Sequence, residues 1–278
     1  MDPKDKSDMT PQAKVPEMPK TRTTPKANAV TAGAFNRAPA IHEKKGVFPA
    51  HITPGGGWLS GLAHEQIHAL ATHVLAHHTD QGLRTLAFTS ALAGEGKTTL
   101  SLALSEKLAR AGKRILVIDL DTHRATLSGE AGLDGIEGAM ESSKEDGATN
   151  RLHAYPTDRP GVFIMPVGKL DLSTIGGVPL LDPARVQALV QRALEEFDLV
   201  LLDCPPLMPV ADTHVIADIA DRTVLVVRAH STPKQIVEQA LREFDSGKLF
   251  AAILNRAQPQ FIPYFREVYG YYRRPSAK

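Results

Sequence analysis

The stretch at residues 83–112 reads LRTLAFTSALAGEGKTTLSLALSEKLARAG, and its reading decides the fold. A short apolar run up to Ser90 has strand character, and the residues from Lys97 onward carry apolar positions at helical spacing until Gly112 closes them. Between the two lies a glycine-rich turn that places Gly94, Glu95, Gly96, Lys97, Thr98 and Thr99 at the start of the helix, as the residues expected to bind phosphate. Glycines let backbone N–H groups turn toward a phosphate, and the helix N-terminus adds partial positive charge. Lys97 has the reach for the outer phosphates, and the Thr98 hydroxyl is a ligand for Mg²⁺. This is a P-loop in its strand–loop–helix context. The pattern G-x-x-x-x-G-K-[ST] asks for glycine at position 91, where this chain has Ala91, which is tolerable if the first turn is less tight.

Outward from that stretch, strands and helices alternate. SGLAHEQIHALATHVLAHH reads as an amphipathic helix before the loop; RILVIDLD, VFIMPVG, LVLLDCPP, RTVLVV and FAAILN read as strands. DPARVQALVQRALEEF, VADTHVIADIA and STPKQIVEQALREFDSG read as helices, while residues 132–161 are loop-rich. Continuous Val/Ile/Leu strands separated by helices predict a mainly parallel sheet covered on both faces, a three-layer α/β P-loop NTPase fold. The domain is expected over residues 58–256. Residues 1–57, rich in Pro, Lys, Thr and Ala, are expected to form a disordered arm, and residues 257–278 a flexible tail.

Two further carboxylate motifs fit the same site. Asp119 and Asp121 stand two apart at the end of one strand, so on extended backbone they point to the same side. Asp203 closes another buried-type strand. Acidic side chains at the carboxyl ends of parallel strands lie where open α/β sheets bind ligands. The tail carries a third feature: YFREVYGYYRRPSAK contains Tyr264, Tyr269, Tyr271 and Tyr272, four of the chain's five tyrosines. Hydroxyls gathered there are candidate phosphate acceptors, and Arg266, Arg273 and Arg274 are placed to pair with phosphates or acidic partners.

Composition narrows the alternatives. A net charge of +1 gives no global field for nucleic acid, so no nucleic-acid partner is expected. A single cysteine, Cys204, forbids an internal disulfide, and with no secretory-type start the cytoplasm is the expected compartment. No apolar run has membrane-spanning length. His64, His68, His73, His77 and His78 crowd one helix at spacings that include i, i+4, but nothing in the sequence completes a metal site, and a solvated face is expected.

The segments ALAGEGKTT, ILVIDLD, FDLVLLDCPP, LVVRAHST and AAILNRA, in this order, resemble the bacterial tyrosine kinases (BY-kinases) of capsule and exopolysaccharide operons. These are relatives of the partitioning-type P-loop ATPases, whose signature lysine is replaced here by Leu92. The resemblance implies an ATP-dependent tyrosine autokinase that modifies its own tail and regulates polysaccharide polymerisation or export. It implies that Lys97 and Thr98 bind ATP phosphates and Mg²⁺, that Asp119 is the base for the tyrosine hydroxyl, that Asp121 and Asp203 organise the metal, and that Asn255 contacts adenine. It further implies a membrane co-polymerase or adaptor partner at the inner face of the cell membrane, a homo-oligomer, and a cognate tyrosine phosphatase. Three positions depart from the family pattern: His123 stands where an arginine is usual after D-x-D, and the helix before the loop keeps Glu65 of E-x-x-R-x-x-R but has His68 and Ala71 for its arginines. They keep open the alternative of an ATP-binding adaptor or positioning ATPase without kinase activity.

Overall fold

The structure is a computed structural model that describes residues 44–48, 61–143, 151–169, 182–208, 218–242 and 247–257. The tail tyrosines, most of the 1–57 segment and residues 210–217 of the expected helix VADTHVIADIA lie outside the described residues.

In chain order the elements are α1 (Gly61–Gln81), β1 (Thr85–Ser90), α2 (Lys97–Arg110), β2 (Ile115–Asp119), α3 (Thr126–Glu130), α4 (Ala139–Ser142), β3 (Tyr155–Pro156) and β4 (Val162–Met165). They continue with α5 (Pro183–Glu196), β5 (Leu199–Asp203), β6 (Arg222–Arg228), α6 (Lys234–Arg242) and β7 (Leu249–Asn255). The strands form one sheet in the order β3-β4-β2-β5-β1-β6-β7. Every pairing is parallel except β3 with β4. β3 is a two-residue antiparallel edge inside the stretch expected to be loop, too short to carry a periodic signal.

The central strands β1, β2 and β5 are buried along their whole length, which is why they read as unbroken apolar runs rather than alternating ones. Alternate side chains still serve opposite faces. Leu86, Phe88, Ile115, Val117, Leu199 and Leu201 pack with Ile67 and Val74 of α1 and Leu100, Leu104 and Leu108 of α2. Ala87, Leu116, Ile118, Val200 and Leu202 pack instead with Val186, Leu189, Val190 and Ala193 of α5. Ala240 of α6 joins Leu225 and Val227 further out. The three layers expected from the strand–helix alternation follow from these faces. Helix starts obey local chemistry: α5 opens with Pro183 behind Asp182, whose Oδ1 accepts the Ala184 N–H at 2.9 Å, a cap worth about 1 kcal/mol.

Part of the segment expected to be a disordered arm is folded against the sheet edge. Gly46 bridges Thr157 in parallel, its N–H donating to the Pro156 carbonyl at 2.9 Å, and Val47 N–H donates to Ala131 at 3.0 Å. Phe48 N–H donates to Asp158 Oδ1 at 2.9 Å, and its ring is 1% exposed under the Arg159 guanidinium. An aromatic in a segment without apolar periodicity has no pattern to announce it. Its burial contributes about 1.5–3 kcal/mol, which offsets part of the roughly 1–2 kcal/mol per residue that ordering this short piece costs.

Candidate nucleotide-binding site

The carboxyl ends of β1, β2 and β5 meet at one edge of the sheet, and the P-loop rises from β1 over them. Ala91, where the loop pattern asks for glycine, is fully buried, and its carbonyl accepts the Met208 N–H at 3.2 Å. Among the described residues the non-glycine positions at positive φ are Ala125, His230 and Arg256, so Ala91 has ordinary backbone and its methyl group is accommodated. The requirement for glycine falls later in the loop. Gly94 has φ 80° and Gly96 has φ 102°, and a Cβ on Gly96 would overlap Asn255 Nδ2. Lys97 and Thr98 follow in the first turn of α2, 7% and 9% exposed. Loop amides and a helix N-terminus above an acidic floor form an anion cradle with a cation-binding base.

That floor is set by strand register. β2 and β5 pair so that Asp119 lies opposite Asp203. Asp203 is 2% exposed; its Oδ2 accepts the Thr98 hydroxyl at 2.6 Å, whereas Oδ1 is buried without a hydrogen-bond partner. Burial, and next the neighbouring Asp119 charge, push its pKa up to about 8 against the pull of Lys97 and the Thr98 hydroxyl. Asp119 is fully buried. Its Oδ1 accepts Asp121 N–H at 3.1 Å, and its Oδ2 accepts both the N–H and the hydroxyl of Ser128, at 2.9 and 2.7 Å. Burial pushes its pKa up to about 6, with the Ser128 bonds opposing. Asp121, 5% exposed, takes Arg124 N–H on Oδ1 at 3.1 Å and Ala125 N–H on its carbonyl at 2.7 Å. This tight turn drives Ala125 to φ 44°.

The three aspartates expected at strand ends are therefore brought together with Lys97 and Thr98. The orphaned Oδ1 of Asp203 beside the Thr98 hydroxyl supplies hard oxygen donors of the kind Mg²⁺ takes. Among the described residues no group of three or more His, Cys, Asp or Glu side chains is arranged to hold a metal on its own. A cation here would share its shell with phosphates and water, as Mg²⁺ does at phosphoryl sites. The same finding holds for the α1 histidines.

Several placements differ from their sequence roles. Glu95, expected among the phosphate-binding residues, has a side chain 2% exposed that accepts Leu92 N–H, Arg228 N–H and the Thr232 hydroxyl. Asn255 donates through Nδ2 to the Glu95 carbonyl at 2.7 Å and accepts Arg256 N–H on Oδ1 at 2.9 Å, so it fixes the loop. Ala71 is 3% exposed in the α1 core contact, a place with no room for an arginine, while Glu65 and His68 face outward. His123 and Arg124 are both exposed beside Asp121. Cys204 is buried and its thiol is pushed up by that burial, which makes it a packing residue rather than a nucleophile. Ser128, nine residues beyond Asp119, had no sequence signal; its hydroxyl also accepts Val167 N–H at 2.9 Å, so it joins β2, α3 and the end of β4.

Residues 86–267 match the CobQ/CobB/MinD/ParA nucleotide binding domain. The chain belongs to this family. It is similar to proteins named as tyrosine kinases. It is 29% identical over 210 residues to the tyrosine-protein kinase YwqD of Bacillus subtilis, covering 70% of this chain and 81% of that one. Over 197 residues it is 29% identical to the tyrosine-protein kinase CpsD of Streptococcus agalactiae, covering 70% and 84%. Its fold is that of the kinase domain of Escherichia coli tyrosine kinase ETK, with a TM-score of 0.61 at 21% identity over 78% of this chain and 84% of the other. The family fixes a nucleotide-binding P-loop domain, in agreement with the cradle described above. No helix among the described residues is long and apolar enough to cross a membrane.

Proposed function

We propose that this protein is an ATP- and Mg²⁺-dependent tyrosine autokinase that phosphorylates Tyr264, Tyr269, Tyr271 and Tyr272 of its own tail and regulates export or polymerisation of a surface polysaccharide. The observation that carries this reading is the convergence of Lys97, Thr98, Asp119, Asp121 and Asp203 under the P-loop. The named kinase relatives and the tyrosine-rich tail support it. In this reading the loop amides and Lys97 bind and orient the phosphates of ATP. Thr98 and Asp203, with Asp121 at the rim, would hold Mg²⁺, which when bound would supply neutralisation of phosphoryl charge. Asp119 accepts the proton of the incoming tyrosine hydroxyl. A pKa of about 6 makes it a stronger base than an ordinary carboxylate while leaving it mostly ionised at neutral pH. Its Oδ1 receives one hydrogen bond and retains a lone pair for that proton. Asn255 borders the same loop and takes the adenine side. The tail of one copy enters the site of a neighbour, and a membrane adaptor brings copies together at the inner face of the membrane; a phosphatase resets the tail.

The test is incubation of the full chain with ATP labelled at the γ-phosphate and Mg²⁺, with and without the adaptor. Label on tail tyrosines is the expected result, and none under either condition would sink the reading. A second reading, an ATP-binding adaptor without kinase activity, is favoured by the exposed His123 in place of the family's arginine. It predicts ATP-dependent association together with an unaltered polysaccharide phenotype when all four tail tyrosines become phenylalanine.

A further inference from the structure

Gly94 and Gly96 give the phosphate loop its shape, yet neither glycine holds it there, and a Cβ on Gly94 would meet nothing within 4 Å. The residue between them supplies the restraint. The Glu95 carboxylate points away from the cradle, where its charge would repel phosphate, and into a buried seat. Its Oε2 accepts Leu92 N–H at 2.9 Å, bracing the loop across its own turn. Its Oε1 accepts Arg228 N–H at 3.1 Å and the Thr232 hydroxyl, both beyond the end of the β6 core. The turn that carries those donors closes on the Arg228 carbonyl, which accepts Thr232 N–H at 3.2 Å, and it contains His230 at φ 57°. Backbone in that region is costly for a non-glycine residue and persists only where its surroundings hold it.

We propose that Glu95 is a positioning residue that couples the phosphate loop to the turn at residues 228–232, so that binding of a nucleoside triphosphate and ordering of that turn are one equilibrium. Phosphate on the loop amides stabilises the conformation that presents Leu92 N–H to Glu95, and the same carboxylate then holds Arg228 and Thr232. By linkage, whatever orders the turn tightens the loop on phosphate. The inference rests on the ATP site and not on the tail as acceptor, so its test uses binding rather than phosphotransfer.

Calorimetric titration of the full chain with ATP and Mg²⁺, for wild type, Glu95→Gln, Thr232→Val and the double variant, measures the coupling. Glutamine keeps the shape but replaces one acceptor with a donor, and should weaken affinity about tenfold or more, since small misplacement of positioning groups is costly. Thr232→Val should weaken it about two- to fivefold, and the double variant should lie within about twofold of Glu95→Gln, because groups in one hydrogen-bonded network do not add. Hydrogen exchange gives a readout that a purely structural role would leave alone: ATP should slow exchange of residues 228–232 in wild type and fail to do so in Glu95→Gln. Wild-type affinity in Glu95→Gln, additive effects in the cycle, or retained ATP-induced protection would each overturn the proposal. If Glu95→Gln does not fold, Thr232→Val decides alone, and wild-type affinity with full ATP-induced protection in it counts against the coupling. Absence of ATP binding by folded wild type removes the ATP site itself, an outcome distinct from loss of coupling in a protein that binds.

Discussion

The two flanks of the phosphate loop are built from opposite materials. On the β2/β5 side, Asp119 and Asp203 are buried acids with raised pKa values, one oxygen lacking any partner. On the β6/β7 side, the buried acid Glu95 has both oxygens taken by loop and turn donors, and Asn255 anchors its carbonyl. The first flank stores unfavourable electrostatics that a bound cation or a proton would relieve. The second uses its acid for shape. Burial of a carboxylate therefore has two outcomes a short distance apart: Asp203 keeps one oxygen without a partner, whereas both oxygens of Glu95 are taken.

The largest way to break this contrast is on the scaffold side. Gly96→Ala drives a Cβ into Asn255 Nδ2 at φ 102°, and should lower ATP affinity by about 10- to 100-fold in a calorimetric titration. Adding Asn255→Ala should restore only part of the loss, because the contact disappears and the backbone strain stays. Full restoration would show that the loop geometry itself imposes no demand for glycine.

A smaller effect is expected at the support of the acidic floor. Ser128→Ala removes a hydroxyl that donates to Asp119 and accepts from Val167, and should cost about 1–3 kcal/mol in denaturant unfolding. The Ser128 hydroxyl bond holds the Asp119 pKa down, so its loss moves that pKa further up while the backbone N–H bond stays. If Asp119 is the base, the acidic limb of the kcat/KM profile shifts to higher pH in the variant. An unshifted limb places the proton acceptor elsewhere.

A third effect is a slope. In the metal-free protein, folded Asp203 keeps its proton up to about pH 8, whereas the unfolded chain releases it near an ordinary carboxylate value of about 3.9. Across that window the folded state binds the extra proton, so its stability falls as pH rises, with the full loss reached above about pH 8. Asp203→Asn should flatten this part of the profile, gaining stability relative to wild type as pH increases from about 4 toward about 8 in chemical denaturation. Parallel profiles would contradict a buried carboxylate that keeps its proton in the folded state.

What the sequence disclosed follows the range of each interaction. The P-loop and the Val/Ile/Leu strands are contiguous, so periodicity, glycine placement and strand-end aspartates sufficed for the layers and for the convergence of Asp119 and Asp203. Contacts between distant segments were not legible. The Glu95 carboxylate answers to Thr232, more than a hundred residues away, whereas its place between two loop glycines reads as that of a phosphate ligand. Phe48 was lost in a segment without apolar periodicity because it anchors by a single ring rather than by a pattern. Ala71 reads as a vacated arginine position until the helix face is known; it lies inward, so the alignment of that motif with α1 does not describe a surface.

The most direct test of the central claim is mass spectrometry of the C-terminal tail from the full chain in its native host, compared with Lys97→Ala. Phosphate on Tyr264, Tyr269, Tyr271 or Tyr272 in wild type and its disappearance in Lys97→Ala is the result this account predicts. Equal phosphorylation of the two proteins, or an unmodified tail in wild type under conditions of active polysaccharide export, would contradict it.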